Sequence, residues 1–340
     1  MISLDELVIE GNSSLLEKLG KEAEELLQLQ ILTCKLKYLG LYNCASLSKV
    51  PKGLHHLTAL QDLKIDGCSS LVSFPDVGLP PSLQDLKIVG CSSLVSFPDV
   101  GLPPSLEVIR IQECDSLLYF AKYQIPPNLR RIQIERCKIL KSLVEKEEDS
   151  SSSSSASHIS LEDLEIRGCE SLTSLSLRAQ LFPRALKCLE ISHCGELQLI
   201  TSDEFAHDNT NYCLEFIRIS DCPNLKSLPE GLCHLTNLQN LYIYDCGSLV
   251  SIPSLSGEGL PSPTTTAASS LTQINIEKCN KLEMLPDMSN LNCLQKLKID
   301  YGEGLNFTSF PPNLTSLTIC GIRNCKPIWH LFQWRGCLFH

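Results

Sequence analysis

Residues 60–82 read LQDLKIDGCSSLVSFPDVGLPPS, and residues 83–105 read LQDLKIVGCSSLVSFPDVGLPPS. The two blocks agree at 22 of 23 positions, and the single change is Asp66 to Val89. A copy this close makes the 23-residue period the first thing to follow, because fixed periods of about 20–50 residues mark stacked repeat architectures.

Laid out at that period, the chain carries the pattern LxxLxIxxCxxLxxFP throughout. It recurs from Leu36, Leu106, Leu129, Leu161, Leu186, Leu214, Leu238 and Leu271, with weaker copies at LDELVIEGN from Leu4, LQKLKID from Leu294 and LTSLTI from Leu314. Together with the opening pair this makes about 13 units.

The spelling of one unit follows from strand geometry. Side chains alternate along a strand, so the fourth and sixth places of LxxLxI point one way and the third, fifth and seventh the other. Leu63 and Ile65 go in, and Lys64 and Asp66 go out. One such strand cannot bury its apolar side alone, but stacking copies about 4.8 Å apart builds a parallel sheet over a shared interior. The chain must then turn, and the ninth place takes a small residue able to sit inside that turn, which is Cys in ten units. The GLPPSL connectors cannot be interior helix, because Pro lacks the N–H and restricts the residue before it. PKGLHHLTALQDL and PEGLCHLTNLQNL are the stretches expected to form short helical turns.

Composition agrees with an array. A single core stops growing near about 250–300 residues, a limit that a chain of 340 residues escapes by stacking repeats. The net charge of -10 argues against non-specific nucleic-acid binding, which needs a basic face. No stretch approaches the roughly 20 consecutive apolar residues of a membrane span, and MISLDELVIEG lacks the basic start of a leader. The expected location is therefore the cytoplasm or the nucleus, with no membrane span.

This is the leucine-rich-repeat pattern. Its Cys version, with LxxLP endings, GLPPSL connectors and stretches such as EGLCHLTNLQNLYIYDC and VPKGLHHLTALQDLKIDGC, resembles the repeat region of plant intracellular disease-resistance proteins. These are the coiled-coil class of nucleotide-binding leucine-rich-repeat receptors. The expected fold is a leucine-rich-repeat solenoid, a horseshoe of the α/β class. A parallel sheet of short strands would line its concave face, and its convex face would be mostly irregular with few short helices. The solenoid is expected over residues 1–326, with loop insertions at 145–157 and 261–270 and a divergent tail at 327–340.

The resemblance implies a non-enzymatic module of plant defence that recognises pathogen effectors or host proteins altered by them, and holds an attached nucleotide-binding domain inactive. No GxxxxGK[ST] loop occurs anywhere in the chain, so no nucleotide cofactor is expected. The array starts three residues into the chain with no capping unit, and the tail leaves the pattern, so the chain is expected to be a fragment or a truncated relative. Such a chain could also bind the nucleotide-binding domain of a related receptor. The alternative is a substrate adaptor of a ubiquitin ligase, whose array would look similar but which needs a helical docking module ahead of the repeats.

Several other features have ordinary explanations. SLLEKLGKEAEELLQLQ at 14–30 has Ser14 and Glu17 as a capping box and apolar residues at helical spacing, and is expected to be a helix packed on the first unit. Ten of the 18 cysteines share one inward place, as expected of reduced buried thiols rather than disulfides. In the tail, Cys320, Cys325, His330, Cys337 and His340 fit no common zinc spacing, and no metal is expected. The sequons at Asn12, Asn306 and Asn313 carry no meaning in an intracellular chain. No nucleophile–base pattern can be singled out.

Recognition is left as the function, and the outward places are where it would reside. The fifth places run Val8, Gly40, Lys64, Lys87, Arg110, Gln133, Glu165, Glu190, Arg218, Tyr242, Asn275, Lys298 and Thr318. Two candidate partner-binding groups stand out on the expected concave face. One is the cation stripe of Lys64, Lys87 and Arg110, which could steer an acidic partner or pair with Asp62, Asp66 and Asp85 beside it. The other is Phe216, Arg218, Tyr242 and Tyr244, because aromatics with Arg are what interface hot spots favour.

Overall fold

The computed structural model describes residues 4–11, 35–74, 78–95, 97, 102–121, 127–145, 159–175, 184–200, 212–255, 269–300 and 309–320. The helix expected at 14–30, nearly all of both expected insertions, and the tail beyond Cys320 lie outside the described residues. The chain divides into two compact units. The first is Met1–Leu172 with Ser176–Arg178, and the second is Thr173–Leu175 with Ala179–His340.

The first unit holds β1 (Glu6–Glu10), β2 (Tyr38–Tyr42), β3 (Asp62–Asp66), β4 (Asp85–Val89), β5 (Val108–Gln112), β6 (Tyr119–Ala121), β7 (Arg131–Glu135), β8 (Ser142–Val144) and β9 (Asp163–Arg167). Seven of these form one parallel ladder in the order β1-β2-β3-β4-β5-β7-β9, each in register with the next at corresponding places of the repeat. The short β6 and β8 pair with each other. The second unit holds β10 (Ser174–Leu175), β11 (Cys188–Ser192), β12 (Leu199–Ile200), β13 (Phe216–Ser220), β14 (Asn240–Tyr244), β15 (Gln273–Glu277), β16 (Lys296–Asp300) and β17 (Ser316–Cys320). Its ladder runs β11-β13-β14-β15-β16-β17, again parallel, and β10 pairs with β12. These are the strands of a leucine-rich-repeat fold.

The interior is built from equivalent places. Leu60, Leu63, Ile65, Cys68 and Leu71 are all buried, and so are their counterparts Leu83, Leu86, Ile88, Cys91 and Leu94. Each fully buried Leu or Ile contributes roughly 1.5–3 kcal/mol, so stability accumulates along a unit. At the fifteenth place of three successive repeats in the first unit, Phe74, Phe97 and Phe120 form a short spine, the first pair of rings tilted with centroids 5.4 Å apart and the second stacked at 5.3 Å.

The turn after each strand has a fixed construction. The eighth place takes a left-handed backbone in every unit where it is described, at Gly11, Gly67, Gly90 and Gly168 but also at Asn43, Glu113, Arg136, His193, Asp221, Asp245 and Lys278. That conformation aims its N–H at the next repeat, where it donates to the carbonyl of the seventh place, as Gly67 does to Val89 at 2.9 Å and Asp221 to Tyr244 at 2.8 Å. The Cys carbonyl then accepts the N–H of the twelfth-place Leu, closing a turn such as Leu71 to Cys68 at 3.0 Å. The Cys thiol donates back to the seventh-place carbonyl, at 3.3 Å for Cys44 to Tyr42 and 3.5 Å for Cys91 to Val89. A small side chain with a weak donor therefore fits this place, as the sequence pattern requires.

Among the described residues outside the ladders, regular structure is confined to the short strand pairs β6–β8 and β10–β12, a few isolated parallel bridges and short helical turns. Two short 3-10 helices among the described residues, Lys52–His56 and Glu230–His234, fall in the two stretches where helical turns were expected. In the GLPPSL connectors the backbone turns at Pro, with Leu83 donating to Pro80 at 3.1 Å, and Ser82 reaches back to the Leu60 carbonyl at 2.7 Å. Ser105 makes the same contact with Leu83 at 2.7 Å. A second line of hydrogen bonds runs through the thirteenth places, as when Val72 donates to Ser48 and Lys141 to Leu118.

Candidate functional site

The third, fifth and seventh places of each ladder strand lie on the open face of its ladder, each row set by the register. Lys64, Lys87 and Arg110 stand side by side on β3, β4 and β5. They do not form a uniform cationic stripe. Lys64 is bound by Asp66 of its own strand at 2.9 Å, and Arg110 is bound by Asp85 of the preceding strand. Hydrogen bonding to Asp66 holds the Lys64 ammonium above its ordinary pKa. Asp62 is pushed up, first by burial and then by the charge of Asp85 beside it. Among the described residues Lys87 forms no ion pair. Pairing within the surface thus claims two of the three cations.

The aromatic group in the second unit does converge. Register places Arg218 opposite Tyr242, while Phe216 lies two residues before Arg218 on the same side of β13. The Phe216 and Tyr242 rings are 5.4 Å apart at 41°, and the Arg218 guanidinium carbon lies 5.6 Å from each ring centroid. The Arg218 side chain is exposed, and among the described residues it forms no ion pair. A cation held between two rings keeps its donors free while losing little rotamer freedom on binding. Tyr244 is engaged differently. Its hydroxyl is bonded by Lys278, whose ammonium also lies 4.7 Å over its ring.

Two further features of this face were not singled out in the sequence. Tyr38 and Tyr42 close over Gly40 with their hydroxyls 3.1 Å apart, and Lys64 sits 4.7 Å over the Tyr42 ring. Burial, reinforced by the Tyr42 hydroxyl, pushes the Tyr38 phenol well above its ordinary range. The missing side chain at Gly40 leaves room for this closure, since a Cβ there would lie 2.6 Å from the Tyr42 ring and force it to shift. On β7, Glu135 is buried and satisfied by two amides, Gln112 and Gln133, each at 2.8 Å. The signal for the tyrosine group was the one glycine among the fifth places, flanked two residues away on each side by a tyrosine.

The remaining chemistry is quiet. Among the described residues no group of three or more His, Cys, Asp or Glu could hold a metal ion. Four of the five tail residues weighed as ligands, Cys325, His330, Cys337 and His340, lie outside the described residues. Beneath the aromatic group, a small apolar void of about 10 Å³ lies among Leu189, Ile217, Leu232 and Leu241, at most enough for a single water. No helix among the described residues is long and apolar enough to cross a membrane.

Comparison with known proteins agrees with the repeat. Residues 145–279 match the family model described as plant disease resistance protein RPS2-like, leucine-rich repeats. The repeats are similar to those of plant disease resistance proteins. A probable disease resistance protein of Arabidopsis thaliana is 28% identical over 184 residues, which is 49% of this chain. The match spans 10% of that relative's length. Among solved structures, the leucine-rich repeat domain of the type III effector XCV3220 (XopL) superposes with a TM-score of 0.46 at 20% identity, covering 75% of this chain and 73% of that one. A leucine-rich repeat protein from Bacteroides ovatus superposes with a TM-score of 0.31 at 17% identity, covering 85% of this chain and 77% of that one.

Proposed function

We propose that this chain is a protein-recognition module of plant defence, working as the ligand-sensing and autoinhibitory repeats of an intracellular immune receptor do. It would act in the cytoplasm or the nucleus. Its partners are a pathogen effector, a host protein altered by one, or the nucleotide-binding domain of a related receptor. The observation that carries this proposal is the Phe216–Arg218–Tyr242 group. Two part-exposed aromatic rings around an exposed Arg on an open sheet face do nothing for the core, and they are the residue types that dominate protein interfaces. Similarity to plant disease resistance proteins supplies the setting.

The test is a binding screen of the whole chain against pathogen-secreted proteins and against nucleotide-binding domains of related receptors, run beside the double variant Phe216→Ala, Tyr242→Ala. A specific partner held by the native chain and released by the double variant is the expected result. A partner bound equally by both would move recognition away from this group. Absence of any partner from both sets would overturn the proposal.

A further inference from the structure

The one difference between the two copied blocks falls on a residue with a visible task. In the first copy, Asp66 at the seventh place binds Lys64 at the fifth, with the amine 2.9 Å from the carboxylate. In the second copy the lysine is kept as Lys87, but the acid that would bind it has become Val89. The surrounding residues do not replace it. Asp66 faces Val89 in register and is committed to Lys64, while Asp85 on the strand of Lys87 is committed to Arg110. Asp62 stands in register with Asp85, and Gln112 with Val89. Gln112 donates to Glu135 on the next strand, not to this site. Val108 stands in register with Asp85 on the next strand, and Val89 is the apolar residue two places from Lys87 on its own strand.

Resting on the assignment of this face to protein binding, we infer that the change at Val89 turns Lys87 into a receptor for a partner's carboxylate, with Val89 as the apolar seat beside it. Lys87 and Val89 project from the same side of one strand two residues apart, about 7 Å along the chain. An extended segment of a partner repeats its side chains on one side at the same spacing. The site therefore takes an extended acidic segment of a partner protein in which an Asp or Glu lies two residues from an apolar residue. Charge complementarity selects this occupant: the free ammonium lies between two cations in register, and nearby carboxylates offset their charge without occupying the amine.

Panning the whole chain against a displayed library of random dodecapeptides tests this, because Val89→Asp rebuilds a pair that the neighbouring repeat already holds without loss of fold. Enriched peptides should carry an acid two positions from an apolar residue. They should bind Val89→Asp and Lys87→Ala about five- to tenfold more weakly than the native chain, the range expected from one part-exposed charge pair and an apolar contact. The same peptides should bind the Phe216→Ala, Tyr242→Ala variant unchanged. Enriched peptides without acids, or with equal affinity for Val89→Asp, overturn the role of Lys87. If those peptides respond to the aromatic variant instead, protein recognition by this face stands and only the Lys87 assignment falls. If nothing is enriched, or the enriched peptides respond to neither variant, both fall.

Discussion

The thiol of Cys91 lies 3.5 Å from the carbonyl oxygen of Val89, and its own carbonyl accepts the N–H of Leu94 at 3.1 Å. One buried residue thus ties the end of the strand to the start of the next turn, and the arrangement repeats at all ten ladder cysteines. In each the thiol is out of reach of solvent. An alkylating reagent applied to the native chain should therefore modify Cys213, Cys293 and Cys320, which are exposed, and spare the ladder until denaturant is added. Peptide mapping by mass spectrometry reads this directly, and ladder labelling in the native chain at the rate of Cys213 would contradict the inward placement.

Stability should fall in alkali. Burial pushes the thiols of Cys44 and Cys137 up to about 11 and those of Cys91 and Cys169 up to about 12, from an ordinary value of 9.0. The unfolded chain then loses these protons near pH 9 while the folded chain still holds them, so the unfolded state binds fewer protons and stability declines as pH rises. The contribution is intact below about pH 9 and is withdrawn progressively toward pH 12. Melting temperatures recorded from pH 7 upward should stay level and then drop, and the drop should shrink when Cys91 and Cys169 are both replaced by Ala.

The two sides of β4 should respond oppositely to truncation. Leu86 is fully buried, and Leu86→Ala should cost about 2–5 kcal/mol in denaturant unfolding. Lys87 forms no ion pair among the described residues, and Lys87→Ala should change stability by less than about 0.5 kcal/mol. Equal losses would mean that the faces are assigned wrongly.

At Glu113 the backbone has φ of 55°, a left-handed conformation that costs an L-residue about 1–2 kcal/mol. The side chain gives little in return, since its 3.3 Å pair with Arg136 is largely exposed. Glu113→Gly should raise stability by about 0.5–1 kcal/mol once the greater freedom of unfolded Gly is deducted. Gly90→Ala, at the same place with φ of 61°, should lower it. Thermal melts of the two variants moving in the same direction would count against the strain argument.

Much of this was legible in the sequence because the repeat numbers its own places. Once Leu63 and Ile65 were assigned inward, the outward rows followed, and every pairing within each unit keeps that numbering. The site was less legible, because row and place say which residues are neighbours but not which bonds they choose. Lys64, Lys87 and Arg110 look alike in a sequence, and only side-chain geometry shows two of them occupied. Tyr244 was grouped with Arg218 because both point outward on neighbouring repeats, yet its partner is Lys278 at the eighth place of the following repeat. The uniform left-handed turn was hidden for a similar reason. Seven of its eleven described positions carry residues other than Gly, and the common cause is a backbone N–H that sequence patterns do not display.

The reach of Ser82 to Leu60 and of Ser105 to Leu83 also bears on how such a chain changes over generations. Removing residues 83–105 would join Ser82 to Leu106, the same Ser–Leu junction that Ser105 already forms. A block of this length can be lost or gained by unequal crossing-over without creating an untried seam. Each such event adds or deletes one three-residue column of the open face as a cassette, and a single later substitution, as at Val89, is enough to give the new column a character of its own.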